Sequence, residues 1–378
     1  MVGINFDDWE QRKLGELCQE FQSGKNIKSE DIKENGIYPV YRGNGLRGYS
    51  DTYNHDGEYA LIGRQGALCG NMNISYGKAY FTEHAIAVEA NISNNTKFLF
   101  FLFDLMNLGQ YSSQSAQPGL AVNKLIKLSA FVPSLREQDQ ISSLFTCLDE
   151  TIALHQDKLE KLKKLKKGYL QVMFPQKGEK VPRLRFAHFF SDWEQRKLGE
   201  LAEIVRGASP RPIQNPKWFD INSDIGWLRI SDVTKQNGRI HYLEQKISKA
   251  GQEKTRVLLE PHLLLSIAAT VGKPVINYVK TGVHDGFLIF LNPSFNKEFI
   301  FQWLEMVRPE WQKYGQPGSQ VYLNSELVKN QDILLPSLQE QSKISDFFIR
   351  LDDSISHHYI KVQKLKNLKK IYLQKIFV

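Results

Sequence analysis

Two glycine-punctuated stretches in the first third of the chain carry side chains that form paired hydrogen bonds. Tyr41-Arg42-Gly43-Asn44-Gly45-Leu46-Arg47 and Gly63-Arg64-Gln65-Gly66-Ala67-Leu68-Cys69-Gly70-Asn71 set Arg, Asn and Gln at the ends of short apolar strands. A guanidinium bridges guanine O6 and N7, a carboxamide bridges adenine N6 and N7, and glycine lets backbone approach a phosphate. These types in this setting point to a surface that reads nucleic acid, with Arg42, Asn44, Arg47, Arg64, Gln65 and Asn71 as candidates. The second half offers loop residues of similar character: Arg206, Arg211, Arg229, Lys273, Gln320 and Tyr322. Taken singly, each also fits an ordinary tight turn with an exposed polar side chain.

Complete catalytic machinery is not found. Asn292-Pro293-Ser294-Phe295 nearly spells the Asn-Pro-Pro-Phe of amino-methyltransferases, but its second proline is missing and no Phe-x-Gly-x-Gly cofactor loop precedes it. Thr270-Val271-Gly272-Lys273 lacks the rest of a phosphate-binding loop. The nine histidines form no HExxH, and no Gly-x-Ser-x-Gly elbow occurs. Glu83-His84 and His284-Asp285 put an acid beside a base in each half, each pair too isolated to nominate a catalytic dyad. Cys18, Cys69 and Cys147 are too sparse for a disulfide framework or a zinc site and fit a reducing compartment. Neither a membrane-spanning run nor a signal peptide is evident, so a soluble, cytoplasmic protein is expected. Across the 378 residues, 49 Lys and Arg against 41 Asp and Glu leave a modest basic excess, which permits a nucleic-acid partner.

What positions these candidates is a repeat. Asp8-Trp9-Glu10-Gln11-Arg12-Lys13-Leu14-Gly15-Glu16-Leu17 recurs letter for letter at 192–201. Pro133-Ser134-Leu135-Arg136-Glu137-Gln138 returns as Pro336-Ser337-Leu338-Gln339-Glu340-Gln341. From there the apolar positions Ile141, Phe145, Leu148, Ile152, Leu159, Leu162, Leu165, Tyr169 and Met173 keep helical spacing, as do Ile344, Phe348, Leu351, Ile355, Val362, Leu365, Leu368, Tyr372 and Ile376. Each run predicts a helix of about 36 residues, roughly 54 Å at 1.5 Å per residue, and two such rods bury their stripes best against each other as an antiparallel coiled coil. Most lysines between Lys158 and Lys167 then belong to the solvated outer face. Trp9 and Trp193 read as buried anchors. The fold class is therefore α+β: two pseudo-twofold-related domains of mixed sheet and helices, joined by two long antiparallel helices. Expected boundaries are 1–132, 133–180, 181–335 and 336–378.

This arrangement resembles the specificity (HsdS) subunits of type I restriction–modification systems. The matching residues are Trp9 to Glu16 with their copy from Trp193, the helix starts at Pro133 and Pro336, Tyr41 to Gly45, and Leu61 to Ala67. The resemblance implies two target-recognition domains, each reading one half of an asymmetric bipartite DNA site, with the helices as a spacer setting the gap. It implies methyltransferase (HsdM) subunits, two in the assembly, that carry S-adenosylmethionine, and endonuclease (HsdR) subunits that use ATP and Mg. Neither catalysis nor a metal or cofactor site is then expected in this chain. A stand-alone DNA-binding regulator is the alternative.

Overall fold

Both copies of Glu-Gln-Arg-Lys form a short strand that meets the strand just before the next long helix. The computed structural model describes residues 9–112, 118–268, 270–311 and 323–377, which divide into a unit of 1–157 with 359–378 and a unit of 158–358. In the first unit β1 (Glu10–Lys13) pairs antiparallel with β8 (Ser129–Val132). Between them lie β2 (Cys18–Ser23), β3 (Tyr38–Arg42), β4 (Gly45–Ser50), β5 (His55–Gly63), β6 (Met72–Phe81) and β7 (Ala85–Ala90), a six-stranded sheet in the order β2-β7-β5-β6-β3-β4. Side chains of β5 alternate between two buried faces. Ala60 and Ile62 share a core with Phe98, Leu99 and Phe103 of helix Thr96–Leu105, while Tyr59 and Leu61 pack with Ala79, Phe81 and Ala87.

The second unit opens likewise, with β9 (Glu194–Lys197) against β18 (Asp332–Leu335). Its interior differs. Strands β10 (Glu203–Arg206), β12 (Arg239–Ile240), β14 (Leu263–Ser266), β15 (Pro274–Asn277) and β17 (Phe287–Leu291) form a five-stranded sheet ordered β10-β17-β14-β15-β12. A smaller sheet joins β11 (Gly226–Trp227), β16 (Thr281–Val283) and β13 (Arg256–Leu258) in the order β11-β16-β13. Helix Lys297–Trp311 buries Phe299, Ile300, Phe301, Trp303 and Leu304 into the main core of this unit.

The long helices run Leu135–Met173 and Leu338–Ile376. Each starts on a serine cap after proline: the Glu137 and Glu340 amides lie 3.4 and 3.3 Å from the Ser134 and Ser337 hydroxyls. The glutamine of the repeated motif is buried in both copies. Gln138 donates from Nε2 to the Pro133 carbonyl (2.9 Å) and accepts the Asn95 amide at Oε1 (3.0 Å), and Gln341 does the same with Pro336 and Asn296 (2.9 Å each). Asn95 in turn caps helix Thr96–Leu105, so one carboxamide ties two helix starts together. Replacing Gln138 with Leu strands a buried carbonyl and amide, and is expected to destabilise the first unit by about 1–3 kcal/mol, measured by urea unfolding. An unchanged midpoint would contradict this account of the motif.

Within each unit, a piece of one long helix lies antiparallel to a piece of the other. In the first, Phe145 stacks on Phe377 (6.2 Å between centroids), and Asp149 receives the Lys369 ammonium (2.6 and 2.7 Å). In the second, Tyr169 meets Phe347 (4.8 Å) and Lys166 bonds Asp352 (2.5 Å). Residue numbers rise along one helix as they fall along the other, and the same Lys–Asp pair recurs at repeat-equivalent positions. Trp193 is buried against Phe174 and Phe299; Trp9 is half-buried against Phe377 and Phe98. Lys161, Lys163, Lys164 and Lys167 are exposed, as a solvated face requires. No helix among the described residues is long and apolar enough to cross a membrane.

Candidate nucleic-acid interface

Four loops of the first unit converge at one end of its sheet: the β3–β4 tip, the β5–β6 loop, the β6–β7 turn and residues 118–120. Arg64 donates its amide to the His84 carbonyl (2.9 Å), Leu120 donates to the Arg64 carbonyl (2.9 Å), and Gly66 donates to the Pro118 carbonyl (3.0 Å). At the crossing, a Cβ on Gly43 would lie 2.8 Å from the His84 carbonyl oxygen and 2.9 Å from Gly63 Cα. Glycine is needed there because the backbones touch, whatever their dihedral angles.

This packing brings Arg64 and Gln65 beside Glu83 and His84. Half-buried Arg64 donates from Nη1 to the Glu83 carbonyl (3.3 Å), while exposed Gln65 places Oε1 2.9 Å from His84 Nδ1. His84 Nε2 faces Glu83 Oε1 at 3.2 Å. Asn44 and Arg47 are exposed on the β3–β4 hairpin, and Asn71 is exposed at the end of the β5–β6 loop. Arg42 is half-buried, and its Nε has no hydrogen-bond partner among the described residues.

In the second unit one carboxylate organises the cluster. Asp285 Oδ1 accepts the Ser209 hydroxyl (2.7 Å), Oδ2 accepts Arg211 Nη2 (2.7 Å), and its carbonyl accepts Arg206 Nε (2.6 Å). Burial pushes the Asp285 carboxyl up, but the Ser209 hydroxyl and the Arg211 guanidinium hold it below the usual carboxylate range. Arg206 and Arg211 are both exposed. His284 beside them is driven below its usual value by burial, and its Nδ1 accepts the Gly286 amide (2.9 Å).

Two expected positions need correction. Lys273 is buried, its ammonium bonded to Glu305 (2.5 Å) and Asn237 (2.8 Å), so it presents no cation at a surface. Arg229 is half-buried and spent on acids of its own unit: Asp232 Oδ1 and Oδ2 at 2.9 and 3.1 Å, and Glu244 at 3.1 Å. Gln320 and Tyr322 lie outside the described residues. Sequence reasoning missed His84 and Asp285 as organisers. The acid beside a histidine in each half was the available signal, and the fold uses each as a bracket for arginine or glutamine.

The comparisons with known proteins agree on one family. A family model described as "Type I restriction modification DNA specificity domain" matches residues 6–164 and again 190–367. The chain belongs to this family: it is a specificity subunit of the type I restriction–modification class, the recognition component and not a catalytic one. The specificity subunit of the EcoprrI enzyme of Escherichia coli is 45% identical over 142 residues, 36% of this chain and 35% of that protein. The MjaVIII specificity subunit of Methanocaldococcus jannaschii is 21% identical across 96% of this chain and 91% of its own length. In fold, the chain is similar to the crystal structure of an S subunit from M. genitalium, with a TM-score of 0.74, 15% identity and coverage of 100% and 98% of the two chains. A second solved neighbour (TM-score 0.56, 16% identity, 98% of each chain) comes from work on complex assembly and conformational transition of the type I system. The stand-alone regulator receives no support from these relatives.

Proposed function

We propose that the two units read the two halves of an asymmetric, interrupted DNA site, the first through the loops around Arg64 and Gln65 and the second through the Asp285-centred arginines. One observation carries this reading: the two surfaces are built differently while the frame around each is the same. Identical Trp-Glu-Gln-Arg-Lys strands, buried motif glutamines and reciprocal Lys–Asp pairs support a common scaffold, and the loops on it differ in length, strand order and charge. A shared frame with unlike reading loops suits unlike half-sites.

Arginines at the surface supply phosphate and guanine contacts, and carboxamides such as Asn44, Gln65 and Asn71 suit base edges. The long helices act as the spacer that fixes the unread gap. Adenine methylation is then the work of HsdM partner subunits carrying S-adenosylmethionine, two per assembly, and cleavage that of HsdR subunits with ATP and Mg. The setting is the cytoplasm, where the chain meets its DNA.

The test is to co-express the chain with the methyltransferase gene of its own system and sequence the methylome. A split adenine-methylated motif is expected, and replacing the first unit's loops with those of a relative changes one half only. Methylation that is unchanged after the exchange defeats the reading. In the same assay Arg64→Ala is expected to weaken recognition of the first half by roughly 1–3 kcal/mol, about five- to 150-fold, leaving preference in the second half as it was.

A further inference from the structure

We propose that His84 is a positioning residue for DNA reading: it pins the amide of Gln65 so that Gln65 Nε2 faces a hydrogen-bond acceptor on a base edge of the first half-site. This rests on the DNA-reading role proposed above and adds a residue to it.

The geometry is a three-member chain. His84 Nε2 lies 3.2 Å from Glu83 Oε1, and Nδ1 lies 2.9 Å from Gln65 Oε1. The backbone beneath is fixed, because the His84 carbonyl accepts the Arg64 amide at 2.9 Å and Gly43 packs directly over that carbonyl. With both ring nitrogens carrying hydrogen, Nδ1 donates to Gln65 Oε1 and Nε2 faces the Glu83 carboxylate as a donor, and His84 keeps no free nitrogen for a base. Gln65 does keep one group: its Nε2 has no partner among the described residues, and the side chain is exposed.

An unpinned glutamine amide turns over and offers either its carbonyl or its amino group to the groove. A pinned one offers N–H alone. Such a donor suits purine N7, guanine O6 or thymine O4, and it turns away the amino group of cytosine, which is itself a donor. His84 thereby converts an indifferent side chain into a selective one without touching DNA.

The test measures methylation by the full chain with its co-expressed methyltransferase partner, on a target library randomised across the first half-site. Gln65→Ala and His84→Phe are compared singly and together, with His84→Asn as the variant that restores an amide donor near Nδ1. Gln65→Ala and His84→Phe are each expected to relax base choice at the same single position by roughly five- to tenfold. The double variant should be no more relaxed than either single one, and His84→Asn should recover most of the preference. If His84→Phe keeps the original preference, or lowers methylation equally at every sequence, His84 does not position Gln65. If Gln65→Ala leaves base choice intact while the loop exchange still changes the first half, this proposal falls and the reading of the unit stands. Should the loop exchange change nothing, the underlying reading falls instead.

Discussion

Ending the chain after His358 is expected to open the first unit while the second stays folded. The segment 359–378 belongs to the first unit, where Leu373, Ile376 and Phe377 join a core with Ile141, Phe145 and Phe98. Phe377 lies against Trp9 (6.0 Å), Phe98 (5.3 Å) and Phe145 (6.2 Å), and Lys369 bonds Asp149. Removing the buried Ile376 alone costs about 2–5 kcal/mol, and the partly buried Leu373 and Phe377 go with it, so losing the segment removes about 5 kcal/mol or more from a unit whose whole stability is of order 5–15 kcal/mol. Hydrogen exchange in helix Thr96–Leu105 reads the result: its amides should lose protection. Ile376→Ala in the full chain should give a graded version of about 2–5 kcal/mol, since Ile376 is 5% exposed. Protection unchanged by the truncation would mean that the first unit does not depend on the end of the second long helix.

Asp352→Ala should have an effect of similar size in the second unit. Asp352 is 6% exposed and accepts bonds from Lys166 (2.5 Å), Gln302 (2.8 Å) and Arg239 (3.0 Å). Removing the carboxylate leaves Lys166 partly buried with no counter-ion, a loss of about 3–5 kcal/mol. Arg239 fares better, because Glu298 also holds it at 2.7 Å. Urea unfolding followed by tryptophan fluorescence reports this unit selectively, as five of the six tryptophans lie between 193 and 311. Burial pushes the Asp352 carboxyl up, but Lys166 first, then Arg239 and Gln302, override it and hold it below the usual range. A lowered carboxylate contributes its stability in full above the unfolded value of about 3.9 and loses it as pH falls through the lower folded value. The wild-type unit should therefore lose stability below about pH 4, and the Ala variant should lack that component. The repeat-equivalent Asp149 is 42% exposed, and its replacement should cost only about 0–1 kcal/mol. Equal losses at the two positions would show that burial does not set their weight.

That contrast marks where sequence reasoning stops. The two Lys–Asp pairs are indistinguishable as letters and spacing, yet one is enclosed and the other half open. Nothing local to Asp149 or Asp352 says so; the difference comes from Arg239 and Gln302, which arrive from a strand and a helix of the second unit. The same limit explains Lys273 and Arg229. Each reads as an exposed cation in the sequence, and each is claimed by an acid from another segment: Lys273 by Glu305, Arg229 by Glu244 as well as nearby Asp232. Beside the close backbone crossing that Gly43 and Gly63 allow, Gln65 is exposed and Arg64 half-buried, a difference the glycine pattern alone does not foretell.

By itself the sequence determined the doubled layout, the long helices with their antiparallel partners, the helix starts on Pro-Ser-Leu-x-Glu-Gln, and the class of protein. The layout and the helices are legible because a helical stripe repeats every three or four residues and the same frame occurs twice along the chain, so the physics is written in neighbouring positions; the class came from the resemblance of that frame to a known family. Which lysine of the run 158–167 turns inward, which charges are consumed inside the fold, and which histidine steadies which glutamine were decided only by tertiary structure. Those outcomes depend on burial and on partners tens of residues away, and a side chain's letter carries no record of either.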